Sequence, residues 1–470
     1  MGKFGMTSLC GVAAATLAIG VALRPDQAIR TATGLTSHTL CSAVFVSGLD
    51  PEEVYVEVIR PTPGLRQLDW ALHYTIDKAH RKVTTTWVGA FESEAVFRSG
   101  MGCLLTHGVQ AVDEMRPSDH AACEGGIAPA LERVSPGVVE PTDTKLRAAL
   151  DQIFAERSQP PYRATKAVVI VHKGRIIAER YAPGYGVDTP MLGWSMTKSV
   201  INALIGILVR EGRLTVEQPA PVPEWRDRND PRHAITIDHL MRMTSGLAVE
   251  ETDSGFDPAT HMLYLENDMA AFAQGVGLNA PPGSRWQYTS GNTLILSRII
   301  RDAVGGHASD VLCFARRELF EPLGMRNVTL EFDAVGTPIG ATYMLASARD
   351  WARFGMLYLE DGTADGRRIL PEGWVRYSTT STLGKRYGAG WWTNRGAGGA
   401  ATHRVRSDLP ADSFFASGAL GQRVVVIPSE KLVIVRLGVA QDRPGFDMEG
   451  LMLLVADVIT ALHSPPDDLR

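Results

Sequence analysis

Ser195 and Lys198 stand three residues apart in Gly193-Trp194-Ser195-Met196-Thr197-Lys198-Ser199-Val200. Residues at that spacing share a helix face, so a helix from Ser195 to about Glu211 would stack the hydroxyl beside the amine. A serine oxygen is a weak nucleophile until a base takes its proton, and a neighbouring amine can be that base. Taken alone, the tetrapeptide is equally what an N-cap serine followed by a solvated lysine looks like. The residues downstream separate the two readings. Val200, Ile201, Leu204, Ile205, Leu208 and Val209 make a helix apolar nearly all round, with alanine, glycine and isoleucine on its other faces. Such a helix belongs inside a large domain. Desolvation there would lower the pKa of Lys198 and free it as a base. The positive end of the helix would ease charge developing on Ser195.

A second element is Pro281-Pro282-Gly283-Ser284-Arg285-Trp286-Gln287-Tyr288-Thr289-Ser290-Gly291-Asn292. Pro-Pro-Gly makes a turn, and Leu294, Ile295, Leu296, Ile299 and Ile300 read as the next buried helix. Tyr288 then falls in a loop just ahead of that helix. It is either a core aromatic with its hydroxyl tied down or, beside S-x-x-K, a second base.

On these residues the chain resembles the serine hydrolases of the β-lactamase and penicillin-binding superfamily, most of all class C-type esterases and 6-aminohexanoate-dimer hydrolases. Met243-Thr244-Ser245-Gly246-Leu247, Glu321-Pro322-Leu323-Gly324-Met325 and the segment from Ser347 to Gly355 extend the resemblance, which covers roughly residues 144 to 463. It implies Ser195 as the acylated nucleophile, Lys198 as its partner and Tyr288 as the tyrosine of Y-x-N. It also implies an α/β fold, an antiparallel sheet flanked by helices plus a helical subdomain. Two departures stand out. Ser290 replaces the asparagine of Y-x-N, which is similar to the dimer-hydrolase branch. The third motif, K-T-G or H-x-G, is absent as such; its place is expected in Phe414 to Gln422, with Ala416 where the cation would be. The backbone around Ser417 and Gly418 would then serve with the Ser195 N–H as an oxyanion hole, a task that needs no side chain.

These features point to a serine hydrolase cleaving small ester or amide substrates through an acyl-enzyme. The first alternative is a penicillin-binding or β-lactam-hydrolysing protein, which Ala416 disfavours because nothing there would hold the β-lactam carboxylate. The second is a non-catalytic envelope protein on the same fold. Composition limits other classes. With 470 residues, 45% hydrophobic and 21% charged, the chain is globular and long enough for more than one domain. A net charge of −5 without a polybasic run argues against nucleic acid. There is no H-E-x-x-H or C-x-x-C among scattered histidines, so neither a metal nor a cofactor is expected. Gly396-Ala397-Gly398-Gly399 lacks the ending of a phosphate loop and reads as a surface loop.

Residues 1–24 carry Lys3 and an apolar stretch from Phe4 to Leu23 ended by Arg24-Pro25-Asp26. This reads as a secretory signal cleaved near Ala22 or as a membrane anchor, and hence as export to the periplasm or retention at the membrane. Of Cys10, Cys41, Cys103, Cys123 and Cys313, an exported chain could bridge Cys41 and Cys103, with Cys123 leaving the pairing open. Cys313 reads as an apolar helix residue. Residues 25–143 form a small α+β accessory region with a hairpin of Leu72–Ile76 and Val83–Trp87, and Pro136 to Asp143 suits a linker. The main domain, 144–463, should open with a hairpin, Ala167–His172 and Arg175–Tyr181 about Lys173-Gly174. It should close with strands Val424–Ile427 and Leu432–Leu437 and a helix striped by Leu451, Leu454, Val455, Val458 and Leu462. Strands at both ends require an antiparallel sheet completed by distant segments. Glu250 and Glu251 either line the cleft or sit in a solvated loop. Trp391 and Trp392 are either a groove floor or a core pair.

Overall fold

In the accessory region a helix lies across a sheet. The computed structural model describes residues 24–108, 137–252, 254–395, 409–441 and 446–464, so the segment from Phe4 to Leu23, Cys123 and the loop from Gly396 to Gly399 lie outside the described residues. Helix α1 (Pro25–Cys41) packs on β1 (Leu72–Asp77), β2 (Lys82–Trp87), β3 (Ala90–Arg98) and β4 (Gly102–Leu105), an antiparallel sheet in that order. The β1–β2 turn closes because Asp77 accepts the N–H groups of Ala79 and His80, both at 3.0 Å, an Asx turn. Ser37 on α1 donates to Thr85 Oγ1 on β2 at 2.8 Å. Cys41 and Cys103 are joined by a disulfide.

One buried carboxylate fastens this region to the rest. Glu331, fully buried, accepts from Ser42 Oγ at 2.8 Å and from the Cys103 N–H at 2.9 Å, and lies 2.8 Å from His38 Nε2. A Cβ on Gly102 would fall 2.5 Å from the Glu331 side chain, so the carboxylate fits there only over glycine.

The main domain begins with α2 (Thr144–Phe154), capped by Asp143 through the N–H groups of Lys145 and Leu146. Residues 137–139 do not run free ahead of it, since the Val139 N–H donates to Glu179 and Arg349 donates to the Gly137 carbonyl. β5 (Thr165–His172) and β6 (Arg175–Tyr181) form the expected hairpin. Lys173 and Gly174 both have positive φ, 50° and 78°, as the tight hairpin turn requires. β7 (Met191–Leu192) leads to α3 (Thr197–Arg210), and α4 spans Ser290–Val304. β8 (Val328–Leu330) and β9 (Met344–Ala346) join β7 in a small sheet of order β7-β9-β8. Then come α5 (Ala348–Leu359), a two-stranded hairpin of β10 (Thr363–Ala364) and β11 (Arg367–Arg368), β12 (Trp392–Thr393), β13 (Phe414–Ser417), β14 (Arg423–Ile427), β15 (Leu432–Gly438) and α6 (Met448–Leu462).

Six of these strands make one antiparallel sheet, β12-β13-β14-β15-β5-β6. The first and last strands of the domain are neighbours, Val169 opposite Val435. Every residue of β15 is buried, which a strand achieves only when both sheet faces are covered. Period-two alternation divides the side chains accordingly. Val169, Val171, Val424, Val433 and Val435 face the core that holds α5 and α3, whereas Val168, Ile170, Val425, Leu432 and Ile434 face α2 and α6. Gly355 lets α5 approach closely, since a Cβ there would meet Val433 at 2.7 Å. Cys313 departs from expectation. It is disulfide-bonded, which local apolar context cannot reveal. Among the described residues no helix is long and apolar enough to cross a membrane.

Removing Glu331 would strip three buried groups of their acceptor. Breaking a buried polar or charged pair by deleting one member typically costs about 3–5 kcal/mol. Glu331→Ala should therefore lose stability of that order in urea denaturation; a loss under about 1 kcal/mol would mean that the cluster does not join the two regions energetically.

Candidate active site

α3 begins later than the S-x-x-K spacing suggests. Ser195 sits on a 3-10 turn, Trp194–Met196, ahead of Thr197–Arg210, because Trp194 takes φ 49° in the left-handed region. That conformation costs a non-glycine residue about 1–3 kcal/mol and persists only where the surroundings impose it. Here the Gly193 N–H donates to Met344 O at 2.8 Å, and Thr197 Oγ1 donates to Trp194 O at 2.7 Å. A Cβ on Gly193 would lie 2.3 Å from the Trp351 ring. The turn leaves Ser195 half-buried while the helix behind it is sealed, with Val200, Ile201, Leu204, Ile205 and Leu208 fully buried.

Lys198 is 3% exposed. Its Nζ lies 3.0 Å from Ser195 Oγ, 3.2 Å from Ser290 Oγ and 2.9 Å from the Ala341 carbonyl oxygen. Nζ donates to each of these three oxygens. Nζ also stands over the Tyr288 ring, 4.9 Å from its centroid, so the aromatic face forms one wall of the lysine's enclosure.

Tyr288 is held by other rings. It meets Tyr387 edge-on at 5.9 Å and Trp392 at 5.7 Å, and Trp286 packs against all three. Burial pushes the Tyr387 hydroxyl well above its ordinary pKa. The two neighbouring tryptophans part company where the chain enters β12: Trp392 lies beside Tyr288, while Trp391 stacks on Phe354 at 6.0 Å in the core.

Ser290 is the first residue of α4, and its backbone N–H donates to Glu251. A carboxylate at a helix N-terminus satisfies an orphan donor and the helix dipole together. Glu251 is therefore half-buried against the site while Glu250 is exposed. The Met243–Leu247 segment supports the same helix end, with Ser245 Oγ donating to Asn292 Oδ1 at 2.7 Å. Gly246, at φ 77°, runs so close to Ala280 that a Cβ would fall 2.0 Å from its carbonyl oxygen.

β13 ends beside the Ser195 turn. A Cβ on Gly418 would be 2.2 Å from Gly193 O, so these two backbones touch. The Gly418 N–H is already committed, donating to Gln422 O at 2.9 Å. Ala416 is 1% exposed in the core that also holds Met196 and Val200 and brings no charge. Arg423 does not replace the missing cation, because its Nη1 donates to Gly418 O and Gln422 O. Arg404 and Arg406 lie outside the described residues.

The structure thus brings Ser195, Lys198, Ser290 and Tyr288 together, with Ser417 and Gly418 on the neighbouring strand end. Sequence reasoning missed the Ala341 carbonyl, a backbone atom with no side-chain signal. It also left Glu251 undecided. The one cue available was its position just after the Ser245-Gly246-Leu247 turn.

An antiparallel sheet backed by helices, with a buried lysine against a half-buried serine at the mouth of an apolar helix, defines the β-lactamase and transpeptidase class of fold. The chain belongs to the Beta-lactamase family, whose profile matches residues 150–456. A segment of 226 residues is 25% identical to the 6-aminohexanoate-dimer hydrolase of Paenarthrobacter ureafaciens; the match covers 45% of this chain and 56% of that relative, little over half its length. In fold the chain is similar to a family VIII carboxylesterase (TM-score 0.55, 15% identity, 69% of this chain and 99% of that one). It is also similar to a penicillin-binding protein homolog from Caulobacter crescentus (TM-score 0.53, 20% identity, 69% and 98%).

Proposed function

We propose that the protein is a serine hydrolase that cleaves small esters or amides through an acyl-enzyme on Ser195. The observation that carries this reading is the 3.0 Å contact between Ser195 Oγ and the buried Nζ of Lys198. Ser195 Oγ attacks the substrate carbonyl and its proton passes to Lys198. The backbone N–H groups of Ser195 and Ser417 stabilise the oxyanion. Collapse of the tetrahedral species breaks the bond to the leaving alcohol or amine, which departs with a proton returned from Lys198 and Tyr288. Water, deprotonated by the same pair, then attacks the acyl carbonyl, releasing the acid and restoring the Ser195 hydroxyl. No cofactor enters these steps. The hydrolase relatives support a small-molecule substrate, and the ester or amide class is our reading of the site.

A fluorophosphonate should label Ser195, and Ser195→Ala should abolish labelling and turnover. Tyr288→Phe keeps the ring under Lys198 but removes the hydroxyl. If that hydroxyl carries protons, kcat should fall by roughly 10²–10⁴-fold, the usual worth of general acid–base catalysis. Near-normal turnover by the phenylalanine variant would reduce Tyr288 to a platform for the amine.

Ala416 and the engaged Arg423 support poor β-lactam turnover, since neither offers a cation for the β-lactam carboxylate. Leaving that charge unpaired typically costs a few kcal/mol, about a hundredfold or more in efficiency. Short-chain p-nitrophenyl esters should therefore be hydrolysed far faster than nitrocefin; the opposite ranking would make β-lactam hydrolysis the better assignment.

We also propose export. The Cys41–Cys103 disulfide supports it, because such bonds persist in oxidising compartments, as does the apolar stretch from Phe4 to Leu23. A reporter fused after residue 30 should appear beyond the cytoplasm. Recovery of the native protein in the cytoplasm with these thiols reduced would overturn the proposal.

A further inference from the structure

Between the accessory region and the main domain runs a crevice with Ala43, Val54 and Val58 on one side and Leu192, Trp194 and Leu420 on the other. Thr39, Ser47 and Tyr185 also line it, and two further polar members are already engaged. Ser42 Oγ donates to Glu331, and both ends of the Gln422 amide bond the backbone of Gly438. The remaining wall is mostly hydrocarbon, which favours an apolar occupant. The cavity is about 60 Å³. At roughly 10–15 Å³ for each water-sized group, it has room for about four to six of them.

The position of the crevice links it to the chemistry. Trp194 is joined to Ser195 by a single peptide bond, and Leu420 and Gln422 lie on the short turn that leads from Gly418 into β14. The crevice therefore adjoins both backbone segments that would hold a reacting carbonyl, and the Gly418 backbone packs against Gly193 between them. Its far wall comes from residues 39–58, outside the segment that matches the family, 150–456.

We propose that this crevice receives the apolar acyl chain of the substrate, about four to six carbons long, so that the accessory region forms one wall of the specificity pocket. The proposal rests on Ser195 being the nucleophile. Each methylene moved from water into such a wall is worth about fourfold in kcat/KM, the equivalent of about 0.8 kcal/mol.

The test uses the full chain and p-nitrophenyl esters from acetate to decanoate. In the unaltered protein kcat/KM should rise about fourfold per added methylene to roughly the hexanoate, then level off or fall. Ala43→Phe, which fills the crevice from the accessory side, should reduce the preference for hexanoate over acetate at least tenfold. Val58→Ala, which enlarges it, should move the optimum to longer chains. A flat chain-length profile in the unaltered protein overturns the proposal. So does an unchanged preference and optimum in variants that melt normally and still take up fluorophosphonate. If Ala43→Phe does not fold, the profile of the unaltered protein and the Val58→Ala shift decide. Failure of the unaltered protein to be labelled at Ser195 would be a different result, removing the hydrolase reading itself.

Discussion

A lysine amine taken out of water and held against a serine hydroxyl is the constraint around which this site is built. At 3% exposure, Lys198 must find its hydrogen bonds inside the protein, since an unmet buried donor typically costs about 1–3 kcal/mol. Its partners come from three distant places: Ser195 on the preceding turn, Ser290 at the start of α4, and the Ala341 carbonyl before β9. The amine therefore ties α3, α4 and the small sheet to one point. Glu251 on the Ser290 N–H and Ser245 on Asn292 hold the α4 end of that arrangement.

Ser195 owes its exposure to close backbone packing. The left-handed Trp194 lifts the serine out of the sealed helix, and glycines permit the crowding at this turn and at the α4 end of the site. Gly193 accommodates the Trp351 ring, Gly418 rests on Gly193 O, and Gly246 clears Ala280. Side chains at these positions would force the elements apart, since a Cβ would lie 2.3, 2.2 and 2.0 Å from its neighbour at Gly193, Gly418 and Gly246.

The parts readable from the sequence are those whose signal is periodic or local. Alternation along β5, β14 and β15, the Lys173-Gly174 turn and the stripe of α6 each depend on neighbours a few residues away. The S-x-x-K spacing with its apolar sequel was readable for the same reason, and so was the family likeness. The unreadable parts depend on tertiary partners or on the backbone. Nothing local says that Trp194 turns left-handed, so the helix was expected to start at Ser195. Ala341 contributes a carbonyl that every residue possesses. Trp391 and Trp392 look alike in sequence, and their opposite placements follow from tertiary partners where the chain enters β12, a strand only two residues long. Cys313 looked like apolar filler because a disulfide partner is not written into its own helix.

The accessory region is connected to the nucleophile by continuous packing. His38 and Ser42 on one side meet Glu331, which directly follows β8. β8 pairs with β9, Leu330 opposite Met344, and Leu345 of β9 pairs with Leu192 of β7. The Met344 carbonyl then accepts the Gly193 N–H, two residues before Ser195. A displacement of α1 would reach the serine through hydrogen-bonded sheet rather than flexible loop. Interiors packed at this density transmit strain instead of absorbing it. The buried Glu331 cluster thus links the accessory region to the turn that presents Ser195 through one run of hydrogen bonds and strand pairs.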